Sequence, residues 1–516
     1  MPPLPSRRAA LFLLLATFVL QAAPKAIPEK MDRLLLEGKR AVYNLHFDRA
    51  ESLFEEAQLR YPEYPHGFVY QAYVNGMAFA LDESNDSLST LVEQRIAIAI
   101  EKSEAYREAF PDDPDGYFYV AIASGVEAVV HIVERRFLKA YWSGRRAKKH
   151  LETVIEIDST YADAYLGLGM FHYYADLLPG VLKFVAGLLG FDGDRDRGKD
   201  EILRAAANGH YFRVEGEFIF HSIGYFLEGT TGPSLEGIKR LYGRFPDNVG
   251  LALMLGYHYR RSGQPERCID YLGRVDLGDR NLPPQMFNLK HYHMGVSYYL
   301  LNDFARADSM FTAFEALPTR KSTYFTAAVQ YYRGHLADLA FDRERARIHL
   351  ERIEKSDKTD YWYAISRMAA QYPMDSLVYR YHIARNQLNS RRLEPALAGA
   401  RSLVSDVYGG RRSTYPEIDV LAYDLLGRVY YAMGRIDESR RAYETILHRV
   451  AEMDDDFHQG WFYIHYARCL RRMERYDEGL EMLNRAAELD VAYVKIIVER
   501  ERYIIRKRIS AEAETE

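Results

Sequence analysis

Leu255-Gly256, Tyr259, Gly263, Cys268, Leu272 and Val275 outline two amphipathic segments around a turn. The same offsets return in Met294-Gly295, Tyr298, Asn302, Ala307, Phe311 and Phe314, and again in Arg333-Gly334, Ala337, Phe341, Ala346, Leu350 and Ile353. Further copies read Leu426-Gly427, Tyr430, Gly434, Ser439, Tyr443, Ile446 and Ala467, Leu470, Glu474, Gly479, Leu483, Ala486. A weaker one is Ile383-Ala384, Gln387, Arg391, Ala396, Ala400, Leu403, and the earliest is Gly38, Ala41, Ala50, Phe54, Ala57, Pro62. Such self-similarity marks a stacked array. Gly inside a helix costs about 1 kcal/mol relative to Ala. Gly256, Gly295, Gly334 and Gly427 at one register therefore predict a close approach of two helices in each copy. Asn302-Asp303 and Gly434-Arg435 then mark the tight turn between them.

On these residues the chain resembles the tetratricopeptide repeat, a helix–turn–helix unit of about 34 residues. The resemblance implies an all-α solenoid, a right-handed superhelix in which each unit contacts its neighbours. Degenerate copies fall between Pro65 and Pro246. Asp163-Ala164-Tyr165, Leu168-Gly169 and Tyr173 begin one, and Ser234, Ile238, Leu241 and Pro246 end another. Roughly nine or ten units are expected. The expected division is a degenerate array over 31–246, a regular array over 247–490 and a capping helix over 491–510. In that last segment Lys495, Glu499, Arg500 and Glu501 stand among Ile496, Ile497, Ile504 and Ile505.

Arg7 and Arg8 precede an apolar run from Ala9 to Leu20, followed by Gln21, Ala22, Ala23 and Pro24. This order describes a secretory signal peptide over 1–22, cut after Ala22. The run is too short to span a bilayer, which takes about 20 residues. A bacterial periplasm or cell envelope is the expected location.

The repeat breaks near 177–198. Leu177-Leu178-Pro179-Gly180 makes a turn, an apolar run follows over 181–191, and then comes Asp192-Gly193-Asp194-Arg195-Asp196-Arg197-Gly198. With Gly190-Phe191-x-Gly193-Asp194-Arg195 and Gly198, the segment 165–226 distantly resembles the tetratricopeptide repeat protein 39 / inclusion-body clearance family. The resemblance implies a shared local fold, an apolar hairpin packed across the array. The aspartates have the first spacings of an EF-hand. However, Arg197 and Leu203 stand where that loop needs its Gly and its bidentate Glu, so they read as helix-capping residues for a helix near Lys199. The apolar run allows an alternative function, contact with a membrane surface as an adaptor.

Of the 516 residues, 48% are hydrophobic and 27% charged, with a net charge of −5. That balance excludes an electrostatic nucleic-acid binder acting through its whole surface. Two cysteines, Cys268 and Cys469, cannot build a disulfide framework or a four-thiolate zinc site. His291 and His293 are two apart on a helix and point away from each other. His131 lies four after Glu127 and can share a face with it. No nucleophile elbow, zinc-binding H-E-x-x-H or glycine-rich phosphate loop occurs. No catalytic residue, metal or cofactor is expected.

The binding signal lies in the inner helices. By register, Tyr257, Arg260, Arg261, Tyr292, Tyr299, Tyr331, His335, Asp338, Tyr381, Arg385, Arg428, Tyr431, Trp461, Arg468, Arg471 and Arg472 face a concave groove. Arg385, Arg428 and Arg468 share one register. Arg gives forked hydrogen bonds to carboxylates, and Tyr gives large contact area at low entropic cost. The expected partner is a protein or peptide with an acidic or C-terminal carboxylate segment. The competing role for these arginines is pairing with Asp419, Asp424 or Glu474 on adjacent helices.

Overall fold

The computed structural model describes residues 26–513, except 83–84, 178–192, 229, 278–281, 283, 319–320, 357 and 490. The leader at 1–22 and the apolar run at 181–191 lie outside the described residues. Those residues form 24 α-helices, one π-helical turn and no strand. They fall into two compact units: one runs to Ile223 and takes in Arg240–Asn248; the other holds Gly224–Lys239 and the chain from Val249 onward.

The first unit contains α1 (Glu29–Tyr43), α2 (Phe47–Arg60), α3 (His66–Leu81), α4 (Asp86–Ala109), α5 (Pro114–Val133), α6 (Phe137–Ile157), α7 (Ala164–Asp176), α8 (Arg195–Asn208) and α9 (Arg213–Ile223). Successive helices pack as antiparallel pairs, as the short turns between them require. α1 also meets α9, far away in sequence. Lys39, almost fully buried, bonds to Glu215, which also accepts from Tyr43 and Tyr73. The ring of Phe212 stands 3.7 Å from the Lys39 ammonium. A pair buried this deeply holds its place only because each charge has a partner. The turn before α8 is capped by Asp194, whose side chain accepts from the Arg197 amide. The helix thus begins at Arg195, four residues earlier than the sequence suggests. Glu127 does not pair with His131; it bonds to Arg146 and Ser143 on α6, while His131 lies beside Glu134.

The second unit opens with the π-turn Gly224–Glu228 and α10 (Thr231–Arg244), through which the division between the units runs. The helix pairs that follow are α11 (Val249–Arg261) with α12 (Pro265–Gly273), α13 (Pro284–Leu300) with α14 (Phe304–Ala316) and α15 (Thr323–Leu339) with α16 (Arg343–Glu351). After an extra helix, α17 (Asp360–Gln371), come α18 (Ser376–Asn389) with α19 (Leu393–Tyr408), α20 (Ile418–Ala432) with α21 (Ile436–Val450) and α22 (Asp456–Arg472) with α23 (Tyr476–Glu488). α24 (Ala492–Ala513) packs on α22 and α23.

The glycine register has the predicted cause. A Cβ on Gly256 would lie 2.5 Å from Leu272, one on Gly295 2.7 Å from Phe311, one on Gly334 2.7 Å from Leu350 and one on Gly427 2.6 Å from Tyr443. The large residue of the second helix fills the space the glycine leaves. Each turn is a Schellman motif: a left-handed residue, then an amide bonding to the carbonyl five residues back. Gly263, Asn302, Phe341, Arg391, Gly434 and Glu474 hold the positive φ. The amides of Gln264, Asp303, Asp342, Arg435 and Arg475 close the motif at 2.8–3.0 Å.

Candidate binding hollows of the second unit

The inner helices of the second unit do not line one open groove, because α13 and α18 touch. Asn386 donates to the Tyr299 carbonyl at 3.0 Å and to Asn302 at 2.9 Å, and Ser390 donates to the Leu300 carbonyl at 2.8 Å. Several positions expected on a free wall pack against the next helix instead: Tyr292 and Tyr299 on Tyr332 of α15, and Tyr381 in the cluster with Leu421 of α20. Tyr292, Tyr299 and Tyr381 are buried core residues. Tyr257, Tyr331, Tyr431 and Trp461 remain half-buried. The contact leaves two hollows, and α18 lines both.

The hollow beside the end of α18 has a volume of about 560 Å³. Arg260, Arg261, Arg391, Arg428 and Arg468 line it, together with Tyr431 and His465, and no carboxylate is among its lining residues. Two of these arginines have acids behind them. Arg428 lies 3.7 Å from Asp424, and Arg468 donates to Glu501 at 2.9 Å. Asp424 is also bound by His465 at 2.9 Å; burial disfavours the imidazolium and keeps His465 below its ordinary range. Arg260 and Arg391 have no carboxylate partner among the described residues, and the Arg260 guanidinium packs 5.1 Å from the Tyr257 ring centre.

The pairing alternative thus holds for some of the expected ladder. Of the acids the sequence offered, Asp424 takes Arg428, whereas Asp419 takes Arg449. A third acid is Glu501, from α24, which no register of the repeats points to: it gathers Arg468, Arg500 and Arg471, the last at 3.5 Å. Arg385 stands apart from Arg428 and Arg468, in the other hollow. Arg472 is exposed.

That second hollow, about 160 Å³, is a chamber with mostly aromatic walls. Tyr331, Tyr361, Trp362, Tyr372 and Phe457 line it, and Arg385, His335 and His382 supply the polar side. Tyr299 and His335 Nδ1 lie 3.1 Å apart, and His335 Nε2 lies 3.2 Å from His382 Nε2. Burial, with the Arg385 charge close by, pushes His335 down to about 3 and His382 well below its usual range. Both rings are neutral at neutral pH. Among the described residues, His382 Nδ1, Trp362 Nε1 and Arg385 Nε have no hydrogen-bond partner. Opposite, Tyr415 donates to Asp455 at 2.7 Å, and His458 bonds to the same carboxylate. Burial would raise Asp455, but these two bonds hold it at about 2. Asp338, expected on the groove, is clamped by Arg343 at 2.7 Å.

The extra helix α17 supplies Tyr361, Trp362 and Met368 to this chamber. The sequence held one signal for it, the long gap between the copies ending at Ile353 and beginning at Ile383. Among the described residues, no cluster of three or more His, Cys, Asp or Glu is placed to hold a metal.

Residues 420–447 match the family model described as tetratricopeptide repeat. No curated protein matches the chain. Among solved structures, the chain is similar to a tetratricopeptide repeat protein from Parabacteroides merdae, at 14% identity over 59% of this chain and 98% of that one, with a TM-score of 0.22. It is similar to the human IFIT1 dimer with PPP-AAAA, at 13% identity over 83% and 96%, TM-score 0.34. It is also similar to yeast Tom70, at 11% identity over 92% and 96%, TM-score 0.26. With one repeat matched at 420–447 and paired helices of the same register on either side of it, the chain is an all-α solenoid of the tetratricopeptide type.

Proposed function

We propose that the protein is an exported, non-catalytic scaffold that holds an acidic segment of a partner protein in the arginine-lined hollow of its second unit. The observation that carries this reading is the composition of that hollow: five arginines, three tyrosines and no carboxylate among its lining residues, in a chain of net charge −5. Arginine forks match carboxylate pairs, and a basic concavity on an acidic molecule concentrates the field where a partner docks. Arg260 and Arg391 are the anchors, because no acid among the described residues competes for them. Export rests on the leader pattern at 1–22. The segment 165–226 shares its local helix arrangement with the tetratricopeptide repeat protein 39 family, a reading supported by the meeting of Gly169 with Gly198.

The test is fluorescence anisotropy with a labelled Asp/Glu-rich peptide and a Lys-rich peptide of equal length. The acidic probe should bind, weaken with salt and be lost in the double variant Arg260→Glu/Arg391→Glu. Equal binding of both peptides, or an unchanged double variant, refutes the reading. Cell fractionation with sequencing of the mature N-terminus tests export separately; a cytoplasmic chain that keeps Met1 defeats that part.

A further inference from the structure

The first unit carries a surface that the groove does not explain. Val129, Ile132, Phe137, Leu138 and Trp142 lie at the tip formed by α5, its turn and the start of α6, and their exposures run from 43% to 71%. Water-exposed clusters of large apolar side chains mark interaction sites. The helix geometry accounts for the clustering. On α6, Ala140, Ser143 and Ala147 face the unit. Leu138, Trp142, Arg145 and Lys149 follow one another on the opposite face at helical spacing. The tip of this stripe is apolar and its stem is basic.

The charge around the patch is mainly basic. Residues 129–149 contain seven Lys and Arg and a single Glu, although the chain as a whole is acidic. Arg136 takes Glu134 and Glu93, Arg146 takes Glu127 and Lys148 takes Glu152. Lys139, Arg145 and Lys149 have no carboxylate partner among the described residues, and the Arg145 guanidinium lies 5.8 Å from the Trp142 ring. Apolar side chains at a tip, a Trp beside them and basic residues behind form the arrangement that lies in a lipid interface: the apolar groups enter the acyl boundary and the cations stay with the headgroups.

We propose that the α5–α6 tip docks the protein on an anionic lipid surface. The exposed cations Lys139, Arg145 and Lys149, which keep no acid partner among the described residues, select anionic lipid over a neutral apolar partner. The contact is peripheral. α5 is long and apolar enough to cross a bilayer by length and composition, but 56% of that window is buried, packed among α3, α4 and α6. The inference stands on residues separate from the arginine hollow, so either can fail alone.

Trp142 provides the test, because Trp362 is buried and Trp461 half-buried. The full chain is mixed with vesicles of brominated phosphatidylglycerol and phosphatidylcholine, and with brominated phosphatidylcholine alone. Tryptophan quenching should occur with the anionic vesicles only and should be lost in Trp142→Phe. The variant Lys139→Glu/Arg145→Glu/Lys149→Glu changes exposed side chains and keeps the fold. Each cation near the surface contributes about fivefold, so its affinity should fall more than tenfold. Phe137→Ser/Leu138→Ser should also abolish quenching, while Tyr408→Ser, an exposed site in the other unit, should not. Quenching that ignores lipid charge, or that survives charge reversal, overturns the proposal. So does loss of self-association, rather than of vesicle binding, in Phe137→Ser/Leu138→Ser.

Discussion

Gly169 and Gly198 bring two helix backbones together. A Cβ on Gly169 would stand 2.6 Å from the Gly198 carbonyl oxygen, and one on Gly198 would stand 2.7 Å from the Gly169 carbonyl oxygen. Backbone atoms cannot swing aside as a side chain does. Gly169→Ala should therefore destabilise the first unit by about 1–3 kcal/mol. Gly144, in the middle of α6, has nothing within 4 Å of its would-be Cβ. There the helix-propensity gain acts alone, and Gly144→Ala should stabilise by up to about 1 kcal/mol. Urea unfolding of the two variants checks the opposite signs; shifts of the same sign would contradict the close approach.

The repeat turns impose a left-handed residue whatever the sequence supplies. Glu474 adopts φ 62° and Gly434 adopts φ 75° at equivalent positions. A side chain in this region costs about 1–2 kcal/mol, and a glycine returns about 0.4–1 kcal/mol of that through its freer unfolded chain. Glu474→Gly should raise the thermal midpoint, by a net gain of up to about 1 kcal/mol. Gly434→Ala should lower it by a similar amount. A differential scan of both variants decides, and a destabilised Glu474→Gly would mean that its side chain has a structural role.

The local rules of the fold were legible because each recurs at a fixed offset. Gly427 predicts Tyr443 as its neighbour without knowledge of the other repeats. Asn302 and Gly434 announce their turns by composition. The site was less legible, because it depends on which residues meet across several repeats. Nothing near Tyr299 reveals that Asn386 will hold its carbonyl and close the groove. Likewise Glu501 reaches Arg468 only because α24 folds back on α22. Register places Tyr292 and Tyr381 outward, but Tyr292 packs on Phe325 and Tyr332 of α15, and Tyr381 is buried in the cluster with Ile418 and Leu421 of α20.

The chamber should make the second unit acid-sensitive. His335 and His382 are held neutral by burial and by Arg385, with His335 at about 3. In the unfolded chain each titrates near 6.5. Below that value the unfolded state binds protons that the folded state refuses. The stability contributed by the pair is therefore complete above about pH 6.5 and is lost as pH falls toward 3. The slope reaches about 1.4 kcal/mol per pH unit for each ring. The thermal midpoint should fall between about pH 6.5 and 5, before most carboxylates titrate. The variant His335→Gln/His382→Gln should flatten that fall; an identical slope in the variant would place the acid sensitivity elsewhere.

Charge that holds the fold and charge that binds a partner are separable in the second unit. Glu501, 3% exposed, sits among Arg468, Arg471 and Arg500. Burial opposes its ionisation, but the three arginines hold it below the ordinary carboxylate range. Glu501→Gln removes the negative charge that these three arginines share and should cost about 3 kcal/mol of stability. The same change releases Arg468 toward the hollow, so the variant should bind the acidic probe peptide more tightly than the parent chain. Arg391 is exposed and has no acid partner among the described residues. Arg391→Glu should leave the unfolding midpoint within about 0.5 kcal/mol of the parent, as surface changes do, while weakening the probe at least tenfold. Urea unfolding and anisotropy run on the same preparations check both. If affinity followed stability in the two variants, the arginines would serve the fold alone.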